Sequence, residues 1–345
     1  MIIGLLLTQI LFIIYGILLI IYSFWSKTNV RGKGNKELYN ETILGILLII
    51  LALGLPSVFI PTQTTEAQKE FFFNLMFIAL ATEGLIFAYM LIGSYYRTQK
   101  DSDRKKKMNY SCFKDDFIAN YVDDPKKDMQ RKGLHLLPVA VIIICFHFSY
   151  LLADLGILAA DIDPLGFYYF LILTIALAFV QMFMLEDLCR IWNRFEALPE
   201  WAYGWICHSM IPDELDTVLT STPMVVAMFP FVFTPIPLLF SVGIITGLSD
   251  AVASMVGKRF GKHKWPINKK KSIEGTLAAI LTVYAAIFAC FYFYADSFNL
   301  FRVFTAASFA SLMFLLVDLF SSKISDNLLN PILCGTAIYF VMYLF

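Results

Sequence analysis

Apolar runs of about 20 residues recur along the chain, each closed by a polar or charged stretch. At 1.5 Å per residue such a run spans the roughly 30 Å of a bilayer's hydrocarbon core. Ten are visible, at roughly 2–25, 42–61, 71–95, 132–152, 165–187, 217–232, 236–256, 275–295, 301–319 and 327–345. The pattern predicts an all-α polytopic membrane protein with about ten transmembrane helices. The sixth and seventh runs carry Pro230, Pro235 and Pro237 between them, a spacing that also fits a proline-broken helix or a short re-entrant pair. The first run has no basic residue before it and no small-residue cleavage site after it, so it reads as a retained anchor.

Composition agrees with this pattern: 59% of residues are hydrophobic, 16% are charged, and the formal net charge is zero. The distribution of charge adds orientation. Connections after the first, third, fifth, seventh and ninth runs hold 25 of the 27 Lys and Arg residues; only Lys69 and Arg302 fall on the other side. Under the positive-inside rule the basic side is cytoplasmic and both termini are extracytoplasmic. The basic loops include Lys27, Arg31, Lys33 and Lys36 after the first run and Lys323 after the ninth. Three parts follow: a three-helix membrane segment (1–96), a basic cytoplasmic linker (97–130) and a seven-run block (131–345). The linker, with Lys126 and Lys127 near its end, reads as a solvated stretch against anionic headgroups. Six scattered cysteines show no metal spacing and no disulfide framework.

One loop concentrates chemistry. Residues 247–276 read GLSDAVASMVGKRFGKHKWPINKKKSIEGT. Asp250, Ser254 and Gly257 are spaced i, i+4, i+7 and share a helix face. An acid at that depth needs a cavity, a cation or a partner. Gly257 and Gly261 permit close backbone approach. Lys258, Arg259, Lys262, His263, Lys264 and Lys269 to Lys271 follow, and Ser272 reads as the N-cap of the next helix. That helix start, with Glu274, Gly275 and Thr276 in its first turn, offers N–H groups and a positive dipole end to an anion. An acid for a divalent cation, a basic glycine loop and a helix N-terminus make a polyphosphate site. No Walker GxxxxGK[ST] sequence is present. Seven basic residues alone are also what any positive-inside loop carries, so the acid and the helix start are what set this loop apart.

These residues resemble the signature of the CTP-dependent lipid kinases: the dolichol kinase, phytol kinase and CTP-dependent diacylglycerol kinase family. Three further stretches resemble that family in its order: RKGLHLLPV (131–139), HSMIPDELDTVLTSTP (208–223) and SDNLLNPILCG (325–335). The resemblance covers about 131–345 and leaves the first three runs outside. It implies transfer of the CTP γ-phosphate to a membrane lipid alcohol, with Mg²⁺ or another divalent cation, at the cytoplasmic face of the endoplasmic reticulum or the cell membrane. It implies Asp250 as the metal ligand, Asp326 as a second acid, and Glu274 as orienting a lysine or binding the metal. Arg131, Lys132, Lys258, Arg259, Lys262, Lys270 and Lys271 would hold phosphate, with His135 as a further donor or the base. Gly257, Gly261, Ser272, Gly275 and Thr276 would complete the phosphate site, and Glu214 and Asn327 accompany the motifs. A polyprenol such as dolichol is the favoured acceptor; diacylglycerol and phytol are the alternatives, and nucleic acid is not among the partners. Phosphatidate cytidylyltransferases share parts of this pattern but end in a His-Gly-Gly motif, which this chain lacks. A transporter is the reading from another class.

Other polar residues in apolar runs have plainer readings. Glu83 and His147 read as helix–helix hydrogen bonders. Glu186, Asp187 and Asp318 read as polar helix ends or metal ligands. Asp154, Asp161 and Asp163 read as solvated on the far side.

Overall fold

The computed structural model describes residues 3–29, 35–122, 125–192, 194–218, 221–320 and 324–345. Arg31, Lys33 and Lys323, and the side chains of Lys27, Lys36, Lys126 and Lys127, lie outside this set. Most of the described chain is helical, and none of it forms a strand. In order the helices are α1 (Ile3–Asn29), α2 (Asn35–Gly54), α3 (Glu66–Lys100), α4 (Ser102–Lys107), α5 (Tyr110–Ala119), α6 (Pro125–Leu134), α7 (Leu136–Asp154) and α8 (Pro164–Ile191). Then come α9 (Glu200–Ser209), α10 (Ser221–Met228), α11 (Ile236–Ile244), α12 (Asp250–Phe260), α13 (Ile273–Tyr294), α14 (Leu300–Phe320) and α15 (Asp326–Tyr339).

Nine segments among the described residues are long and apolar enough to cross a membrane, which makes this an all-α integral membrane protein. The expected tenth, the sixth in order, is short: Thr222–Phe233, an eight-residue α10 followed by a 3₁₀ turn at Phe229–Phe233. Pro230 removes a donor there and the chain tightens rather than continuing the α-helix. The short segment still joins the two ends of the bundle. Asp216, just before it, accepts from Tyr22 at the end of α1, while Pro235, just after it, shares a cavity wall with Arg302 and Tyr343 at the opposite end. Eight α and five 3₁₀ residues rise about 22 Å.

One continuous apolar core runs through α1–α3, α7, α8 and α10–α15, so the first three helices pack into the body of the protein. Helices α1 and α2 cross where Gly16 and Gly45 meet. A Cβ on either would fall 2.6 Å from the other's carbonyl oxygen. Small residues at a crossing let backbones approach closely, the usual source of affinity between helices in lipid.

The stretch 97–122 corrects the expectation of a solvated linker. Asp101 caps α4 and Asn109 caps α5. Tyr110, Phe113 and Phe117 recur at i, i+3, i+7 and form an apolar stripe. Met108 and Phe113 are buried in a second core with Phe195, Leu198, Ile206 and Leu215. Arg104 pairs with Glu200 at 2.6 Å, and Lys114 pairs with Asp216. This segment and α9 form a folded cap over the basic end of the bundle.

Candidate functional site

Helix α11 leads into α12 through a π turn, Ile245–Ser249. The turn occurs at a close approach between chain segments: a Cβ on Gly247 would fall 2.6 Å from the His135 carbonyl oxygen. One extra residue in the turn rotates everything after it by about 100° relative to the stretch before. The stretch before keeps its buried face, while Asp250, Ser254 and Gly257 face a polar cavity of about 330 Å³.

That cavity gathers residues from four helices. Lys132 donates to the Asp250 carboxylate at 2.7 Å and to its carbonyl at 3.3 Å. Lys271 bridges Asp318 at 2.5 Å and Asp250 at 4.0 Å. Asp318 also accepts from the Thr276 hydroxyl at 3.2 Å. Lys258, Lys264 and Lys270 complete the basic wall. Asp326, at the start of α15, lies in the same field, acting on Asp250, Lys271 and Lys132. Burial works against the Lys271 ammonium, but Asp318 and Asp250 more than reverse it, so its pKa is held above the ordinary lysine value.

The edge of the site is a second ion pair. Arg131 donates to Glu214 at 2.8 Å. Burial pushes the Glu214 carboxyl above its ordinary range, with Arg131 working against that shift. The Glu214 loop is itself fixed from below. The fully buried Arg190 pairs with Asp187 and donates to the carbonyls of Leu215 and Thr217. A buried guanidinium is tolerated because a carboxylate and several carbonyls receive its donors.

The loop 261–271 is clamped. Ile273 N–H donates to the His263 carbonyl at 2.9 Å, and Trp265 N–H to that of Lys271 at 3.2 Å. Glu274 accepts from the backbone N–H of Lys262 and of His263, both at 3.1 Å, and faces His263 Nδ1 at 2.7 Å. Ser272 caps α13 by accepting from Gly275 N–H at 3.2 Å. The first turn of α13, with Gly275 and Thr276, lines the cavity.

Several expectations change here. Glu274 holds the loop's backbone and is not among the residues lining the cavity. The Arg259 guanidinium sits over the Phe260 ring at 5.3 Å, and Lys262 is exposed; neither lines the cavity. The glycines serve packing between chain segments as well as access. A Cβ on Gly257 would meet Ser272 Oγ at 2.7 Å, one on Gly261 the Gly257 carbonyl at 2.2 Å, and one on Gly275 the Ala253 carbonyl at 2.4 Å. Asn327 begins α15, its N–H directed to Ser325 Oγ and the Asp326 carboxylate. His135 lies beside Asp250, and its Nδ1 is buried without a hydrogen-bond partner. Glu186 and Asp187 lie outside the cavity, with Asp187 holding Arg190. His147 meets the Tyr294 hydroxyl at 2.9 Å, a helix–helix bond as expected, whereas Glu83 Oε2 is buried with no partner.

Two cavity residues carry more than the sequence assigned them. Asp318 had only the signal of an acid closing an apolar run, and Lys264 that of one lysine among many. No family model, curated protein or solved structure matches this chain.

Proposed function

We propose that this chain is a CTP-dependent lipid kinase that transfers the γ-phosphate of CTP to the hydroxyl of a membrane polyprenol such as dolichol. The observation that carries this reading is convergence. Arg131 and Lys132, Glu214, the 250–276 loop and Asp326 are separated by long stretches of chain, and they meet around one polar cavity at one end of the bundle. They are the four stretches whose sequences resemble the lipid-kinase family. Transporter sites lie near the bilayer midplane; this cavity gathers the end of α6, the starts of α12 and α13 and the end of α14.

The roles follow from chemistry. Phosphoryl transfer needs positioning and neutralisation of charge more than covalent help. Lys132, Lys258, Lys264, Lys270 and Lys271, with the N-terminus of α13, supply a positive wall for a triphosphate. Among the described residues no three His, Cys, Asp or Glu side chains form a metal cage. Asp250 would hold the cation, with Asp326 a second acid in the same field, and so sparse a set suits Mg²⁺ because that ion takes one or two carboxylates plus phosphates and water. Bound there, the cation would neutralise phosphate charge. In the reaction the bond from the γ-phosphorus to its bridging oxygen breaks and CDP leaves. A bond forms to the lipid oxygen, and the hydroxyl proton passes to His135 or Asp326. By the distribution of Lys and Arg, the cavity opens to the cytoplasm.

The test uses purified protein in micelles with Mg²⁺, dolichol or phosphatidate as acceptor, and CTP labelled at either the γ- or the α-phosphate. The reading predicts lipid-linked label from the γ position alone. Label from the α position would identify a cytidylyltransferase, and absence of lipid label from both would overturn the enzyme reading.

A further inference from the structure

A second cavity, of about 130 Å³, lies between α7, α8 and the short α10 segment, with one wall residue each from α2 and α11. Every residue lining it is apolar, among them Pro138 and Ile142 on α7, Ala176 on α8 and Val225 on α10. Two of its lining residues, Leu137 and Ile175, are also exposed on the lipid-facing surface, at 53% and 42%. The space exists because the sixth crossing is short and ends in a 3₁₀ turn, leaving α7 and α8 incompletely covered.

The cavity adjoins the polar site along the chain. Arg131 lies in the last turn of α6, His135 is the break between α6 and α7, and Pro138 and Ile142 follow on α7. Arg131 holds Glu214, His135 lies beside Asp250, and Pro138 and Ile142 line the apolar cavity. Pro138 is only about 4.5 Å along the helix from His135. His135 Nδ1 is buried with no hydrogen-bond partner. A polar atom left so is costly, and a hydroxyl arriving from the apolar side would satisfy it.

Size limits what the cavity can seat. An apolar cavity of about 150 Å³ holds one benzene. A space of 130 Å³ therefore suits about one five-carbon unit. It does not suit two acyl chains diverging from a glycerol. Resting on the lipid-kinase reading, we propose that this cavity seats the first isoprene unit of a single-chain alcohol, its hydroxyl directed to His135, so that the acceptor is a prenol rather than a diacylglycerol.

The experiment reads binding without requiring turnover. The full chain in micelles is photolabelled with a prenol carrying a diazirine on its first isoprene unit, and adducts are mapped by mass spectrometry. Adducts are expected within 137–142 and 172–180. Unlabelled prenol should compete at least about tenfold better than diacylglycerol. Ala176→Phe, which fills the cavity, should remove most of the labelling, while Leu281→Phe on the lipid-facing surface of α13 should not. Adducts confined to other helices, equal competition by diacylglycerol, or full labelling of a folded Ala176→Phe protein would each overturn the proposal. Correct adducts in a protein that transfers no phosphate would uphold the cavity and sink the kinase reading. γ-Phosphate transfer with adducts elsewhere would do the reverse.

Discussion

At the residue scale the site depends on how its charges are shared. Asp250 is held by Lys132 and approached by Lys271, but Lys271 also has Asp318. Asp250→Asn therefore removes a charge without stranding Lys271. The expected outcome is a loss of phosphate transfer of at least about a hundredfold, the scale for losing one group aimed at transition-state charge, with a melting temperature close to wild type. Full activity in that variant would remove Asp250 from the metal assignment. Lys271 makes a separate prediction. Its folded pKa lies above its ordinary 10.5, so its ion pairs contribute fully below that value. Their contribution is lost as pH rises through the folded value. The gap in melting temperature between wild type and Lys271→Met should stay constant from about pH 6 to about pH 9 and narrow only above about pH 10.5.

At the scale of elements, close approach between α12 and the start of α13 shapes the cavity. Gly275 has backbone on the far side of its missing Cβ, the Ala253 carbonyl at 2.4 Å, and backbone cannot rotate away. Gly275→Ala should destabilise the protein by about 1–3 kcal/mol, measured as a lower melting temperature, and weaken nucleotide binding with it. Gly204, inside α9, has nothing within 4 Å of its Cβ position. Gly204→Ala should be neutral or stabilising by up to about 1 kcal/mol. Sequence alone shows both as glycines in helices, and only the packing separates them. The same limit applied to 97–122. That stretch was read as a solvated linker, because the apolar partners that Tyr110, Phe113 and Phe117 meet lie far off in the chain, after residue 194.

At the scale of the whole molecule, orientation is the open quantity with a direct test. Cys112 on α5 is exposed at the basic end of the bundle, and Ser297 is exposed at the other. A membrane-impermeant maleimide should label Cys112 only after permeabilisation, with the signal absent in Cys112→Ser. In a Cys112→Ser background produced in a bacterial cell membrane, Ser297→Cys should label in intact cells. Labelling of Cys112 in intact cells would invert the topology and place the cavity outside the cytoplasm.

Hydropathy and charge are written locally along a chain. The sequence by itself therefore determined where the chain is apolar, which loops are basic, that Asp250, Ser254 and Gly257 share a face, and that Ser272 begins a helix. Contacts between distant segments are not local. Lys132 meets Asp250 across 118 positions, Arg131 meets Glu214 across 83, and Lys271 meets Asp318 across 47. Only the tertiary structure decided that Asp318 and Lys264 belong to the cavity, that Glu274 holds a loop, and that the linker folds into a cap. It also revealed the short sixth crossing and the apolar space beside it. Each depends on which helix lies next to which, and packing sets that, not any one segment's periodicity.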